Sequence, residues 1–274
     1  YSTYKRNHKM KLAVVGKGGV GKTSITGTLT RQLGREGYKT LAIDVDPAMN
    51  LAYSLGISIN IASKITPLSE NHSLIEERTG VAPGSSGGVF SLNPTVSDIA
   101  EKYGVSGPDG TRLLVMGTVR SAGAGCMCPT NALAKALVRH LMVSAKEAII
   151  MDMEAGLEHL GRGTVRGVDA MLCVVEPRMQ SIETARRIKD LSIELGVKTL
   201  LIVGNKMKNN AEHNLLKKKS AELGIPIIAI IPYDESIEQA DMARIAPIDF
   251  APDSPAVKSV ESLKNSLVKQ FHST

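Results

Sequence analysis

Short apolar runs alternate along this chain with stretches in which apolar residues recur every three to four positions. The runs at 11–15, 40–44, 88–92, 113–116, 147–151, 168–175, 198–203 and 225–231 have the length and composition of strands. Between them, 22–36, 129–145, 180–194, 209–222 and 254–272 carry helical spacing. This βαβ rhythm predicts an α/β fold: a doubly wound, mainly parallel sheet with helices on both faces, a three-layer sandwich. The region at about 60–112 is the least periodic, with Gly/Ser/Pro-rich loops at 80–88 and 104–110. It is expected to be a variable insertion within a single domain spanning 10–274, and a place where a partner could dock.

Composition refines this picture without changing it. The 274 residues are 43% hydrophobic, enough for a full core, but aromatics make up 3% and tryptophan is absent. Aliphatic side chains must therefore fill the interior. No apolar run reaches the roughly 18 to 20 residues of a spanning helix, and no secretory signal is visible. The expectation is a cytoplasmic protein with no stable membrane association. Residues 1–9, ahead of Met10, are basic and polar and read as an extension with no structural role. They contribute to the net charge of +6, as does Lys217-Lys-Lys219. Such clusters are most simply solvated faces, and no nucleic-acid-binding module accompanies them.

The chemistry concentrates in Gly16-Lys17-Gly18-Gly19-Val20-Gly21-Lys22-Thr23, followed by Ser24. The pattern G-x-x-x-x-G-K-[ST] builds a loop whose backbone N–H groups surround nucleotide phosphates. Its final lysine reaches the terminal phosphates and its hydroxyl serves Mg²⁺. The loop joins the run at 11–15 to a helix N-terminus, where free amides and the helix dipole favour anions. Two further runs end in carboxylates. Thr40-Leu-Ala-Ile-Asp44 leads into Val45-Asp46-Pro47, and Ala148-Ile-Ile-Met-Asp152 has the form of a Walker B strand. A carboxylate at such a strand end can orient the attacking water or support Mg²⁺, which keeps most of its waters. Asp44 shares a side of its strand with Asp46 and is the weaker candidate; for Asp152 the alternative is a plain cap, since an Asp after a strand often serves that purpose alone.

The second lysine of the loop, Lys17, makes the segment resemble the deviant phosphate loop of the nitrogenase iron protein, MinD, ParA and ArsA group. That resemblance implies ATP as the nucleotide and a homodimer closed by it, with Lys17 reaching the nucleotide of the other subunit. It also implies that Asp46 positions the water, that Thr23, Asp46 and Asp152 serve Mg²⁺, and that Asn205 and Lys206 lie at the adenine edge. Ile231-Pro232-Tyr233 would pack around the base. Read without the family, Lys17 is a solvated loop lysine and Asn205 a turn or cap residue.

Three cysteines are too few for a disulfide framework. Cys173 lies within an apolar run and reads as a small buried residue. Cys126-Met127-Cys128 follows a flexible Ser-Ala-Gly-Ala-Gly stretch and precedes a helix start at Pro129. Thiols at a helix N-terminus have lowered pKa values and favour soft metals. Two sulfurs form half a site, and a two-fold axis would supply the other two. The Cys-x-Cys, together with Lys146-Glu-Ala-Ile-Ile-Met-Asp-Met-Glu-Ala-Gly-Leu-Glu-His-Leu-Gly-Arg-Gly-Thr164, resembles the CooC-type nickel-insertion ATPases of carbon monoxide dehydrogenase. The AcsF proteins of acetyl-CoA synthase are a close branch. The resemblance implies Ni²⁺ at Cys126 and Cys128 and a client nickel enzyme as partner. One departure from the wider group is Glu154, in a switch where small residues are frequent.

Other readings remain open at this level. The Cys-x-Cys could hold structural Zn²⁺, and the chain could be a MinD-like positioning ATPase. In that case the C-terminal stripe of Val257, Val260, Leu263, Leu267 and Phe271 would meet a membrane, although a stripe of that spacing more often packs against a sheet. A shared [4Fe–4S] cluster is disfavoured, because it takes one cysteine from each of two separate loops and residues 153–163 contain none.

Overall fold

The computed structural model describes residues 10–46, 49–84, 89–117, 129–144, 148–154 and 167–271. Eight strands form one sheet: β1 (Lys11–Val15), β2 (Thr40–Asp44), β3 (Val105–Ser106), β4 (Thr111–Val115), β5 (Ala148–Asp152), β6 (Ala170–Val175), β7 (Leu200–Met207) and β8 (Ile227–Pro232). Their order is β3-β4-β2-β5-β1-β6-β7-β8, and every pairing is parallel except β3 with β4. The α-helices in chain order are α1 (Lys22–Arg35), α2 (Leu51–Ser54), α3 (Ile59–Ala62), α4 (His72–Thr79), α5 (Ile99–Tyr103) and α6 (Pro129–Ser144). They continue with α7 (Met179–Leu195), α8 (Asn210–Leu223), α9 (Glu235–Ala243), α10 (Pro247–Phe250) and α11 (Pro255–Phe271).

The central strands are apolar throughout because both faces are covered. In β1 all five residues are buried. Ala13 and Val15 face a core built with α4, α6, α7 and α8, while Leu12 and Val14 face α1 and α11. Ile25, Leu29 and Leu33 of α1 interdigitate there with Ala256, Val260, Leu263 and Leu267 of α11. At β2 and β4 the same face is covered by α2 through Leu51 and Leu55. The α/β sandwich expected from the sequence is therefore the fold observed.

One expectation changes. The run at 88–92 is not a strand: residues 89–92 have no regular structure, and Val89 is 99% exposed. An apolar run without a sheet neighbour has no ladder to complete, so composition alone does not make it β. The C-terminal stripe packs as its spacing suggests and is not free for lipid. Val257, Val260, Leu263 and Leu267 are all buried against the protein's own core, with Phe271 half-buried at its end. Pro255 opens that helix and Ser254 Oγ accepts the Val257 N–H, as a capped start requires.

The topology fixes where a ligand can sit. From β1 the chain crosses to β2 on one side, and later to β6 on the other. Crevices open at the carboxyl ends of strands where the direction of winding reverses. At β1 that point falls on the glycine-rich loop.

Candidate functional site

Every group in the cleft hangs from a strand end. The loop after β1 begins at Gly16, whose φ of 155° brings it against the carbonyl of Val174 on β6, where a side chain would collide. It ends at Gly21, with φ 92°, packed so closely on Asn205 that a Cβ would overlap the side-chain amide. Only glycine fits both the backbone and the space at that position. Helix α1 starts at the next residue with no side-chain cap, so its first N–H groups stay available to an anion. Lys22 is buried, and its ammonium folds back to donate to Lys17 O at 3.2 Å. Lys17 instead extends across the loop to Gln180 Oε1 at the start of α7, 2.6 Å away.

The acidic side comes from two strands in register. Asp44 pairs with Asp152 across β2 and β5, and Asp152 with Val14 of β1. Thr23 Oγ1 donates to Asp152 Oδ2 at 2.6 Å, while Asp152 Oδ1 is buried without a partner among the described residues. Burial pushes Asp152 up to about 6, opposed by the Thr23 hydrogen bond and the Lys22 charge. A hydroxyl, a buried carboxylate with an unused oxygen and nearby Asp46 form a hard oxygen donor set that fits Mg²⁺. Asp44 has different work. Its two oxygens accept the N–H groups of Asp46 and Leu51, at 3.0 and 3.1 Å, so it pins the turn that carries Asp46. Burial, then the Asp152 charge, raises its pKa. That is the cap function, and it explains why Asp46 rather than Asp44 lines the cleft.

The opposite side is assembled from β7, β8 and the helices α9 and α11. Between Gly204 and Met207 the β7–β8 register slips, and Lys206 sits at φ 58°. This bulge turns Asn205 and Lys206 onto the loop: Asn205 Nδ2 donates to Val20 O at 2.7 Å and Lys206 Nζ to Gly19 O at 3.0 Å. Tyr233 is fixed by its N–H to Met207 O, by its hydroxyl donating to Glu238 Oε2, and by Lys208 lying 4.3 Å over its ring. Asp234 caps α9 through Ser236 N–H and also accepts Ala256 N–H at the start of α11. The resulting cleft of about 560 Å³ runs from Gly18, Asp46 and Glu154 at one end to Ile231, Pro232, Tyr233 and the α11 residues Val257 and Val260 at the other. Its size and mixed lining suit a nucleotide-sized ligand.

Of the loop and strand-end residues expected from the sequence, Gly18, Gly19, Gly21, Lys22, Thr23, Ser24, Asp46, Asn205, Lys206, Ile231, Pro232 and Tyr233 line this one cleft, Asp152 meets it through Thr23, and Lys17 turns to Gln180. Cys126 and Cys128, the expected metal ligands, lie outside the described residues, as does most of the second switch, from Ala155 onward. The Lys17–Gln180 contact was not foreseen, nor was the contribution of α9. The motif Asp234-Glu235-Ser236 is a helix-start signal that could have located that helix.

A parallel sheet with this loop at its winding reversal defines a phosphate-loop nucleotide-binding protein. The profile of the CobQ/CobB/MinD/ParA nucleotide binding domain matches residues 12–248, and the chain belongs to that family. Over 243 residues it is 42% identical to the carbon monoxide dehydrogenase accessory protein CooC of Rhodospirillum rubrum, covering 89% of this chain and 91% of that protein. An ATP-binding protein of Methanocaldococcus jannaschii is 42% identical over 265 residues, 97% of this chain and all of that one. Among solved structures, the MinD cell division protein of Aquifex aeolicus shares the fold, with a TM-score of 0.68 over 94% of this chain and 97% of that chain at 23% identity. Within the family the chain is a CooC-type ATPase.

Proposed function

We propose that this chain is an ATP-gated nickel carrier that assists insertion of Ni²⁺ into carbon monoxide dehydrogenase or acetyl-CoA synthase. The observation that carries the reading is the likeness to CooC along nine-tenths of the chain, in a sequence that has Cys126-Met127-Cys128 directly ahead of Pro129. ATP lies in the cleft with its phosphates on the loop from Gly16 to Ser24. The base lies between Asn205 and Ile231-Pro232-Tyr233. Lys22 neutralises the phosphates, and Asp46 orients the water that attacks the terminal phosphorus. Thr23, Asp46 and Asp152 are the residues that hold Mg²⁺, which when bound supplies charge neutralisation at the phosphate oxygens. With Nδ2 committed to Val20 O, the remaining oxygen of Asn205 is an acceptor suited to the adenine amino group.

Two copies close over ATP, and Lys17 leaves Gln180 to reach the nucleotide of the other copy. Closure brings the two Cys-x-Cys pairs together into a four-sulfur site, and hydrolysis relaxes it. Delivery requires that the two states differ in affinity for the metal, since equal binding would shift nothing. The 60–112 segment is the surface offered to the client. The chain carries no nucleic-acid partner and no stable membrane contact in this reading, and the burial of the α11 stripe weighs against the membrane-positioning alternative.

The test is metal stoichiometry after loading with Ni²⁺ and with Zn²⁺, with gel filtration of each sample, for the wild type and a Cys126→Ser/Cys128→Ser double variant. Cys173 does not confuse it, because burial pushes that thiol up to about 12. One metal per dimer, lost in the variant, is the expected result. Unchanged loading in the variant would remove the cysteines from the mechanism. Lys17→Ala should abolish ATP-dependent dimerisation and leave ADP binding largely intact.

A further inference from the structure

Glu154 stands where a carboxylate works against the reaction. Met153 is buried, and its N–H donates to Val14 O at 3.0 Å, extending the β5–β1 ladder one residue past Asp152. Glu154 follows immediately, so its backbone is held against β1, and its side chain leans over the loop. Its Oε1 lies 3.5 Å from the position a Cβ on Gly18 would occupy, at the end of the cleft that also carries Asp46. The apolar end, with Tyr233 and Val257, is the end suited to a base, so the last phosphate of a bound nucleotide comes to rest toward Gly18 and Glu154.

The nearby cations are directed to other partners. The ammonium groups of Lys17, Lys22 and Lys206 are turned to Gln180 Oε1, Lys17 O and Gly19 O. Among the described residues none forms an ion pair with Glu154. Glu154 is exposed, so no packing role accounts for it.

We propose that Glu154 sets the nucleotide preference of a single subunit, holding it toward ADP by opposing the extra charge of a third phosphate. The preference lifts when a cation reaches the carboxylate, and closure by a second copy bearing Lys17 brings such a cation. Glu154 thus delays retention of ATP until a partner is present. This rests on the cleft being the ATP site.

The experiment measures binding of Mg–ADP and of a non-hydrolysable ATP analogue by calorimetry, at low and high salt, for the wild type and Glu154→Gln. The substitution keeps the shape and removes the charge. For an exposed carboxylate the setting is close to bulk water, and there two unit charges about 4 Å apart predict an effect on the order of tenfold. The variant should bind the triphosphate about tenfold tighter, ADP should move by less than about twofold, and high salt should shrink the difference. Equal shifts for both nucleotides, or none for either, would overturn the proposal. A wild type that binds neither nucleotide would overturn the cleft reading itself and this inference with it.

Discussion

The two ends of the cleft do related work by opposite means. The phosphate end is one contiguous segment, Gly16 to Thr23, set against two strand ends in register, with Asp44 and Asp152 side by side. The base end is gathered from several separated pieces: the β7 bulge at Asn205–Lys206, the end of β8, α9 and the start of α11. The first is held by backbone geometry that only particular residues permit. The second is held by ordinary packing, a cation over a ring and one aspartate capping two helices. Anions are gripped by amides and buried charge in fixed positions, whereas a base needs a flat apolar slot that many side chains can line. Substitutions should therefore be severe at the phosphate end and graded at the base end.

Lys22→Ala is the harshest test of that contrast. It removes the one buried ammonium of the cradle, and charge-assisted contacts to phosphate are among the strongest available. ADP affinity should fall by roughly a hundredfold and hydrolysis should vanish, while the thermal midpoint changes little. Calorimetry beside a melting curve reads both, and a loss below about tenfold would mean that the amides alone carry the phosphates. Gly21→Ala comes next and strikes both ends at once. It forces a Cβ into a left-handed backbone and into Asn205. About 1–3 kcal/mol of stability should go, with nucleotide affinity falling alongside. If only affinity fell, the loop would be yielding without disturbing β7.

The difference between the ends also explains what could be read from the sequence. The glycine-rich loop could be located because its residues are chemically constrained and consecutive, although the turn of Lys17 to Gln180 could not, and the central strands were legible because burial on both faces leaves unbroken apolar runs. Asp46 and Asp152 could be picked out as carboxylates at strand ends. That Asp44 is a cap could not, because its role depends on which amides fold back onto it. Four short helices between 51 and 103 left no periodic trace, being too brief to show a 3.6-residue repeat. Val89 and Leu92 misled because apolarity alone does not provide a pairing partner. At the base end, Asn205 stood out only by resemblance, and the positive φ of Lys206 has no sequence signal at all. A lysine in that conformation is sterically disfavoured, so nothing local announces it.

Asn205→Ala probes the seam where the two ends meet. It deletes the buried hydrogen bond to Val20 O, worth about 1 kcal/mol net. Affinity for both nucleotides should drop by about fivefold, in line with that energy. If the free oxygen of Asn205 also accepts from adenine, the preference for ATP over GTP should narrow in the same variant. An unaltered ratio with a lowered affinity would confine Asn205 to bracing the loop.

The smallest expected effect is the most specific. Lys206 holds φ 58° while its ammonium donates to Gly19 O. Lys206→Gly relieves about 1–2 kcal/mol of left-handed strain, yet glycine costs about 0.5–1 kcal/mol in lost chain freedom. The relief exceeds the cost by up to about 1 kcal/mol, so the melting temperature should rise by no more than a few degrees. The tether to the loop is lost nonetheless, and affinity for the triphosphate should fall about two- to threefold, as removal of one exposed charged contact implies. Lys206→Ala keeps the strain and loses the tether, so it should show the same affinity with a lower melting temperature. If the two variants melt alike, the bulge is held by its neighbours rather than by this residue. The base end would then be as firmly set by backbone geometry as the phosphate end.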